Sequence, residues 1–197
     1  MHQPRGAFVP DREVAELRGA QRFSLMLRVA KLACPAGEIP CIVRDISATG
    51  TRLRLFSDDD VGDHLFLELG NGRRFAMERM WQRDGHAGFR FAEAIDVASF
   101  VSEHGEFPKR AIRLQLTRPA TVTVGGEALE ATLRNLSQQG AQIACPTHLA
   151  IAQPLTLDVD GMPERHAVVR WRRKGAYGLV FEDTFTLEAL ARLAFRL

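Results

Sequence analysis

Apolar and polar positions alternate in short runs along most of this chain. Leu53 and Leu55, then Leu65, Leu67 and Leu69, then Leu155, Leu157 and Val159 are each separated by more polar neighbours. That two-residue period is the mark of strands buried on one face only. Turn chemistry punctuates the runs: Gly70-Asn71-Gly72, Gly125-Gly126 and Asp160-Gly161 are hairpin signals. Thr121 to Val124, the Gly-Gly pair, and Ala128 to Leu133 read as two strands joined by a tight turn. Short strands with turns every 8–12 residues or so predict small closed or nearly closed β-barrels. Helical spacing is confined to 93–104, to 186–195 behind Thr186 as a candidate cap, and to a short stretch from Asp11 to Leu17. The predicted class is mainly β.

The pattern occurs twice. Shifted by 90 residues, Asp45 falls on Asn135, Ser47 on Ser137 and Gly50 on Gly140. Trp81 then falls on Trp171, Arg83 on Arg173, and Gly88-Phe-Arg-Phe on Gly178-Leu-Val-Phe. The offset holds from residue 45 to about 93 with no net insertion, so two copies of one domain are expected. Their boundaries are placed at 15–104 and 105–197, with the linker at 104–110.

Composition changes this picture little. The 197 residues carry 46% hydrophobic and 25% charged side chains and a formal net charge of +2, the balance of an ordinary globular protein. Residues 1–104 hold 14 Lys and Arg against 15 Asp and Glu; residues 105–197 hold 12 against 9. A charge this small speaks against a nucleic-acid partner. Three cysteines without a CxxC pair argue against a disulfide framework. The first residues lack the charged and apolar regions of a secretory signal, and no stretch approaches the ~20 apolar residues of a membrane span. A cytoplasmic protein is expected, and the glycosylation triplet at Asn135-Leu136-Ser137 is then empty.

Nothing in the sequence reads as an enzyme. The six histidines show no metal-ligand spacing, and Asp58-Asp59-Asp60 lacks the spacing of a calcium loop. No nucleophile–His–acid set and no phosphate loop stands out. No catalytic residue, metal or cofactor is expected.

The repeated Asp/Asn-x-Ser-x-x-Gly is the feature with chemical content. On a strand, positions i and i+2 share a face, so Asp45 and Ser47 should project together, as should Asn135 and Ser137. Gly50 and Gly140 would let the chain turn with positive φ and leave backbone open to a ligand. A carboxylate or amide can accept from a guanine N–H edge, and a hydroxyl and backbone N–H can hold phosphate. The motif alone is weak, because Asp, Ser and Gly crowd ordinary turns. Trp81 and Trp171 lie in apolar strands and are expected in the core or at a barrel end, guanine stacking being the other role open to them.

Upstream basic residues sharpen the reading. Arg18-x-x-x-Arg22 precedes the first motif and Lys109-x-x-x-Arg113 the second, at intervals of 23 and 22 residues from the last Arg to the Asp or Asn. Arg-x-x-x-Arg followed by [Asp/Asn]-x-Ser-x-x-Gly resembles the PilZ domain family, and the resemblance covers nearly the whole chain as a tandem pair. It implies two six-stranded PilZ-type β-barrels, each with a C-terminal helix, that bind the bacterial second messenger cyclic di-GMP. On that resemblance the first-copy ligand residues are Arg18, Arg22, Asp45, Ser47 and Gly50, with the two arginines on a segment that closes over the ligand. Second-copy candidates are Lys109, Arg110, Arg113, Asn135, Ser137 and Gly140. Lys109 stands where the family has Arg and loses the planar fork that grips guanine; Arg110 is the candidate substitute. The implied function is a receptor that signals by rearrangement to an unidentified protein partner in motility, adhesion or exopolysaccharide control. The alternative is a PilZ-fold interaction module that binds no cyclic di-GMP in one or both copies.

Overall fold

The computed structural model describes residues 23–35, 37–102 and 111–197. Arg18, Arg22, Lys109 and Arg110, the stretch at Asp11 to Leu17, and the whole 104–110 linker lie outside the described residues.

Twelve antiparallel strands form two closed barrels. The first contains β1 (Phe23–Cys34), β2 (Gly37–Ile46), β3 (Gly50–Arg54), β4 (His64–Leu69), β5 (Arg74–Arg83) and β6 (His86–Phe91). Its strand order is β1-β2-β3-β6-β5-β4, and β4 pairs back onto β1. The second contains β7 (Leu114–Val124), β8 (Glu127–Ser137), β9 (Gly140–Ala144), β10 (Pro154–Asp158), β11 (Arg165–Arg173) and β12 (Ala176–Phe181), in the equivalent order. Closure leaves neither sheet an open edge along its length. Short helices follow each barrel: α1 (Val97–Ser102) and α2 (Leu187–Ala194). The helical stretch predicted over 93–104 is thus shorter within the described residues, whereas Thr186 caps α2 as expected, accepting from the Ala189 amide at 3.1 Å.

The alternating residues fill the barrels as predicted. Leu53, Leu55, Leu65, Leu67, Leu69, Leu155, Leu157 and Val159 are all buried. The repeat persists in the cores, where Leu32, Val43, Leu53, Leu67 and Phe89 of one barrel correspond to Val122, Leu133, Ile143, Leu157 and Leu179 of the other. Each helix plugs its barrel with a large, fully buried residue, Phe100 in α1 and Leu190 in α2, again 90 apart. Phe75 stacks against both Phe91 and Phe100 at centroid distances of 5.9 and 5.2 Å.

Three irregularities in the ladders also recur. Register shifts fall between Ser24 and Arg28, Val43 and Asp45, and Arg79 and Trp81 in the first barrel. They fall between Gln115 and Arg118, Leu133 and Asn135, and Val169 and Trp171 in the second. An extra residue reverses which face the following side chains take. Strict alternation from Cys41 and Val43 would bury Asp45; the bulge instead buries Ile46 and turns Asp45 outward.

Candidate functional site

The bulges align one row of paired residues across the strands of each barrel. In the first, Ser24 pairs with Asp45, Asp45 with Arg52, Arg52 with Gly88, and Gly88 with Trp81. In the second the same row reads Gln115, Asn135, Gln142, Gly178, Trp171. Five strands therefore bring the motif's acid, or the buried amide of Asn135, into one row with the repeated tryptophan.

Within the row the partners match the charge of the motif residue. Arg52 meets Asp45 at 2.6 Å, a half-exposed ion pair. At the equivalent place Asn135 donates from Nδ2 to Gln142 Oε1 at 2.6 Å. An ionic pair in one copy has become an amide pair in the other, with both members changed together. Arg52 and Gln142 escape a motif search; only comparison of the two copies position by position picks them out.

The arginine motif and the Asn motif meet in the second barrel. Arg113, just before β7, donates from Nη1 to Asn135 Oδ1 at 3.1 Å across 22 residues of sequence. Two candidates linked only by an interval in the sequence are thus in contact. The first-barrel counterpart involves Arg22, outside the described residues.

Ser and Gly of the motif do something different from the expectation. Ser47 closes the turn between β2 and β3: its amide donates to Gly50 O at 2.8 Å, and its Oγ bonds both the Gly50 carbonyl and the Gly50 amide. Ser137 Oγ donates to Gly140 O at 3.1 Å. Both hydroxyls are buried and committed to the turn, and do not project beside Asp45 or Asn135. The positive φ expected at Gly50 and Gly140 is absent as well. These glycines are needed because β6 and β12 cross them closely: a Cβ on Gly50 would sit 2.7 Å from the Phe89 carbonyl oxygen, and one on Gly140 would overlap that of Leu179. The turn also holds the chain leading to each helix, through Ile95 N to Ala48 O and Phe185 N to Gln138 O, both 2.8 Å.

The tryptophans are not core residues. Trp81 is 40% exposed and Trp171 39%. Each indole lies across the glycine of the neighbouring strand, and a Cβ on Gly88 or Gly178 would overlap it. Each ring is fixed on bare backbone while the residue stays partly exposed, so aromatic surface is available for stacking. Arg83 lies over the Trp81 ring, 5.5 Å from its centroid, adding positive charge there.

The two barrels touch beside the second site. Lys31 on β1 is buried and contacts Glu38 at 2.9 Å and Glu68 at 3.1 Å, and donates to the Arg113 carbonyl at 3.2 Å. Glu38 Oε2 accepts from the Gln115 amide at 2.7 Å. A cleft of about 260 Å³ lined by Lys31, Glu68, Asn71, Ile112 and Arg113 runs along this seam. Among the described residues there is no group of three or more His, Cys, Asp or Glu side chains placed to hold a metal ion. None of the described helices is long and apolar enough to cross a membrane.

Residues 108–196 match the family model of the PilZ domain. The first barrel lies outside that match. No curated protein matches the chain. Among solved structures, it is similar to PlzA of Borreliella burgdorferi in complex with c-di-GMP, at 13% identity over 92% of this chain and 96% of that one, TM-score 0.37. It is also similar to the Bacillus subtilis inhibitor of motility MotI, at 13% identity over 88% and 97%, TM-score 0.38. YcgR of Escherichia coli in complex with c-di-GMP follows, at 13% identity over 86% and 83%, TM-score 0.33.

Proposed function

We propose that this chain is a cytoplasmic receptor for cyclic di-GMP without catalytic activity, composed of two PilZ-type domains at 15–104 and 105–197. The observation that carries the reading is the Arg113–Asn135 hydrogen bond, which joins the two halves of the family's motif within the segment that matches the PilZ domain. Cyclic di-GMP presents two phosphates and two guanines. Arg113 offers guanine O6 and N7 a planar fork, as arginine does in the major groove of DNA. Asn135 Oδ1 accepts from the guanine N–H edge, and Trp171 stacks on the base. In the ligand-free protein the Arg113–Asn135 bond keeps both groups in place, so little ordering cost remains at binding.

In the first domain Arg18 and Arg22 clasp the ligand against Asp45, Arg52 and Trp81. Lys109 supplies charge at the second site without a fork, and Arg110 supplies the fork. Ser47, Gly50, Ser137 and Gly140 shape the wall through the turn. Binding shifts the two barrels, and the resulting rearrangement is read by a protein partner.

Calorimetric titration of the full chain with cyclic di-GMP tests this. Two equivalents bind to the wild type, Arg22→Ala removes the first and Arg113→Ala the second, each losing a charged contact of ~1.5–3 kcal/mol. Absence of heat in the wild type rejects the reading. A second reading has an observation in its favour: both motif hydroxyls and both motif glycines are accounted for by turn closure and strand approach. On that reading one or both barrels are interaction modules that bind no dinucleotide, and the wild type takes up fewer than two equivalents.

A further inference from the structure

Lys31 is the most enclosed cation of the seam, its side chain 7% exposed. An ammonium group has three protons to place, and burial is costly unless each finds an acceptor. Two are met within the first barrel, by Glu38 on β2 and Glu68 on β4. Among the described residues, the third is met by the Arg113 carbonyl of the second. Glu38 in turn accepts from the amide of Gln115. These two bonds bracket Leu114, itself buried in the core of the second barrel.

The strand they hold needs them. β10 pairs with β7 at Thr121–Thr123, well beyond Gln115, and the β7–β8 ladder is interrupted between Gln115 and Arg118. The first residues of β7 therefore depend on side chains of the other barrel for their outward backbone groups. Those residues carry Arg113 to Asn135.

We infer that Lys31 and Glu38 of the first barrel are positioning residues for the second ligand site, holding Arg113 in the orientation that meets Asn135. The second site is then a property of both barrels. The latch bonds hold the backbone from which the Arg113 side chain reaches Asn135, so ligand at the second site and docking of the barrels favour each other by the same factor. This inference rests on the cyclic di-GMP reading and names how that site is controlled.

The test uses full-length Glu38→Ala, Glu38→Gln and Lys31→Met, titrated with cyclic di-GMP beside wild type and Arg113→Ala. Hydrogen exchange at the Gln115 amide reports the latch without ligand. Glu38→Ala is expected to speed exchange at Gln115 and weaken the second site at least tenfold, with the first site unchanged. Glu38→Gln keeps an acceptor oxygen and recovers most of that loss; Lys31→Met reproduces it.

The pattern separates positioning from mere stability. Glu38 and Lys31 belong to the first barrel, so simple loosening would weaken the first site at least as much as the second, and that outcome overturns the inference. Fast exchange at Gln115 with unaltered second-site affinity overturns it too. A wild type that binds a single equivalent, unaltered by Arg113→Ala, removes the second site, and the latch's role with it, while leaving cyclic di-GMP binding by the first. No binding at all removes the receptor reading itself.

Discussion

At the scale of single residues, several small side chains are set by what passes over them. Gly140 and Gly126 illustrate two mechanisms that the same substitution separates. A methyl on Gly140 would collide with a backbone oxygen of β12, which cannot move without breaking the barrel. Gly126 has open space around its Cβ position but a φ of +90°. Gly140→Ala should therefore cost about 3 kcal/mol by overpacking, and Gly126→Ala only ~1–2 kcal/mol of backbone strain. Urea unfolding of the two variants checks the order; equal losses would mean that β12 yields at the crossing. Cys41 gives a pH signature. Burial pushes its thiol above the ordinary value, so the folded form resists ionisation. A raised folded pKa gives stability that is present below the unfolded thiol's value of about 8.5 and is lost as pH rises above it. Wild type should lose stability above that value by up to about 1.4 kcal/mol per pH unit from this group. Cys41→Ala lacks that part of the decline, which urea midpoints from pH 7 to 10 will measure.

At the scale of elements, legibility follows the range of the interactions. The period-2 runs, the hairpin glycines and the Thr186 cap are local, and each forms what its residues predict. The Asp84-Gly85 and Lys174-Gly175 hairpins have positive φ at both residues, the geometry that matches strand twist. The repeat at an offset of 90 carries the equivalence of the barrels. The bulges are what the sequence conceals, because a bulge is defined by the partner strand and has no composition of its own. Their effects are large: they turn Asp45 outward, and they accompany Trp81 and Trp171 on the surface where their apolar setting had suggested core. The motif itself was legible, but the division of labour within it was not. Ser47 and Gly50 look like ligand groups until the turn and the crossing of β6 account for them. Arg52 and Gln142 become visible only when the two copies are read against each other.

At the scale of the molecule, the barrels share material at both ends of the second one. Its first strand is held by Lys31 and Glu38. Its last residues do the reverse: Leu190 and Leu193 of α2 fill the second core, while Phe195, just past the helix, packs against the core of the first. Neither contact is predictable from the repeat, since a repeat describes what the copies have in common and a seam depends on how they differ. With both ends engaged, unfolding of either barrel exposes apolar surface of the other, and one cooperative transition is expected. Trp81 and Trp171 provide a reporter in each barrel, read separately in Trp171→Phe and Trp81→Phe backgrounds. Phe195→Ala, which truncates a half-buried ring, should remove ~1.5 kcal/mol, about half the smallest loss usual for a fully buried phenylalanine. The urea midpoint should fall by the same amount at Trp81 as at Trp171, although Phe195 is covalently part of the second barrel's segment. A shift at Trp171 with none at Trp81 would mean that the C-terminal residues stabilise their own barrel alone and that the two unfold independently.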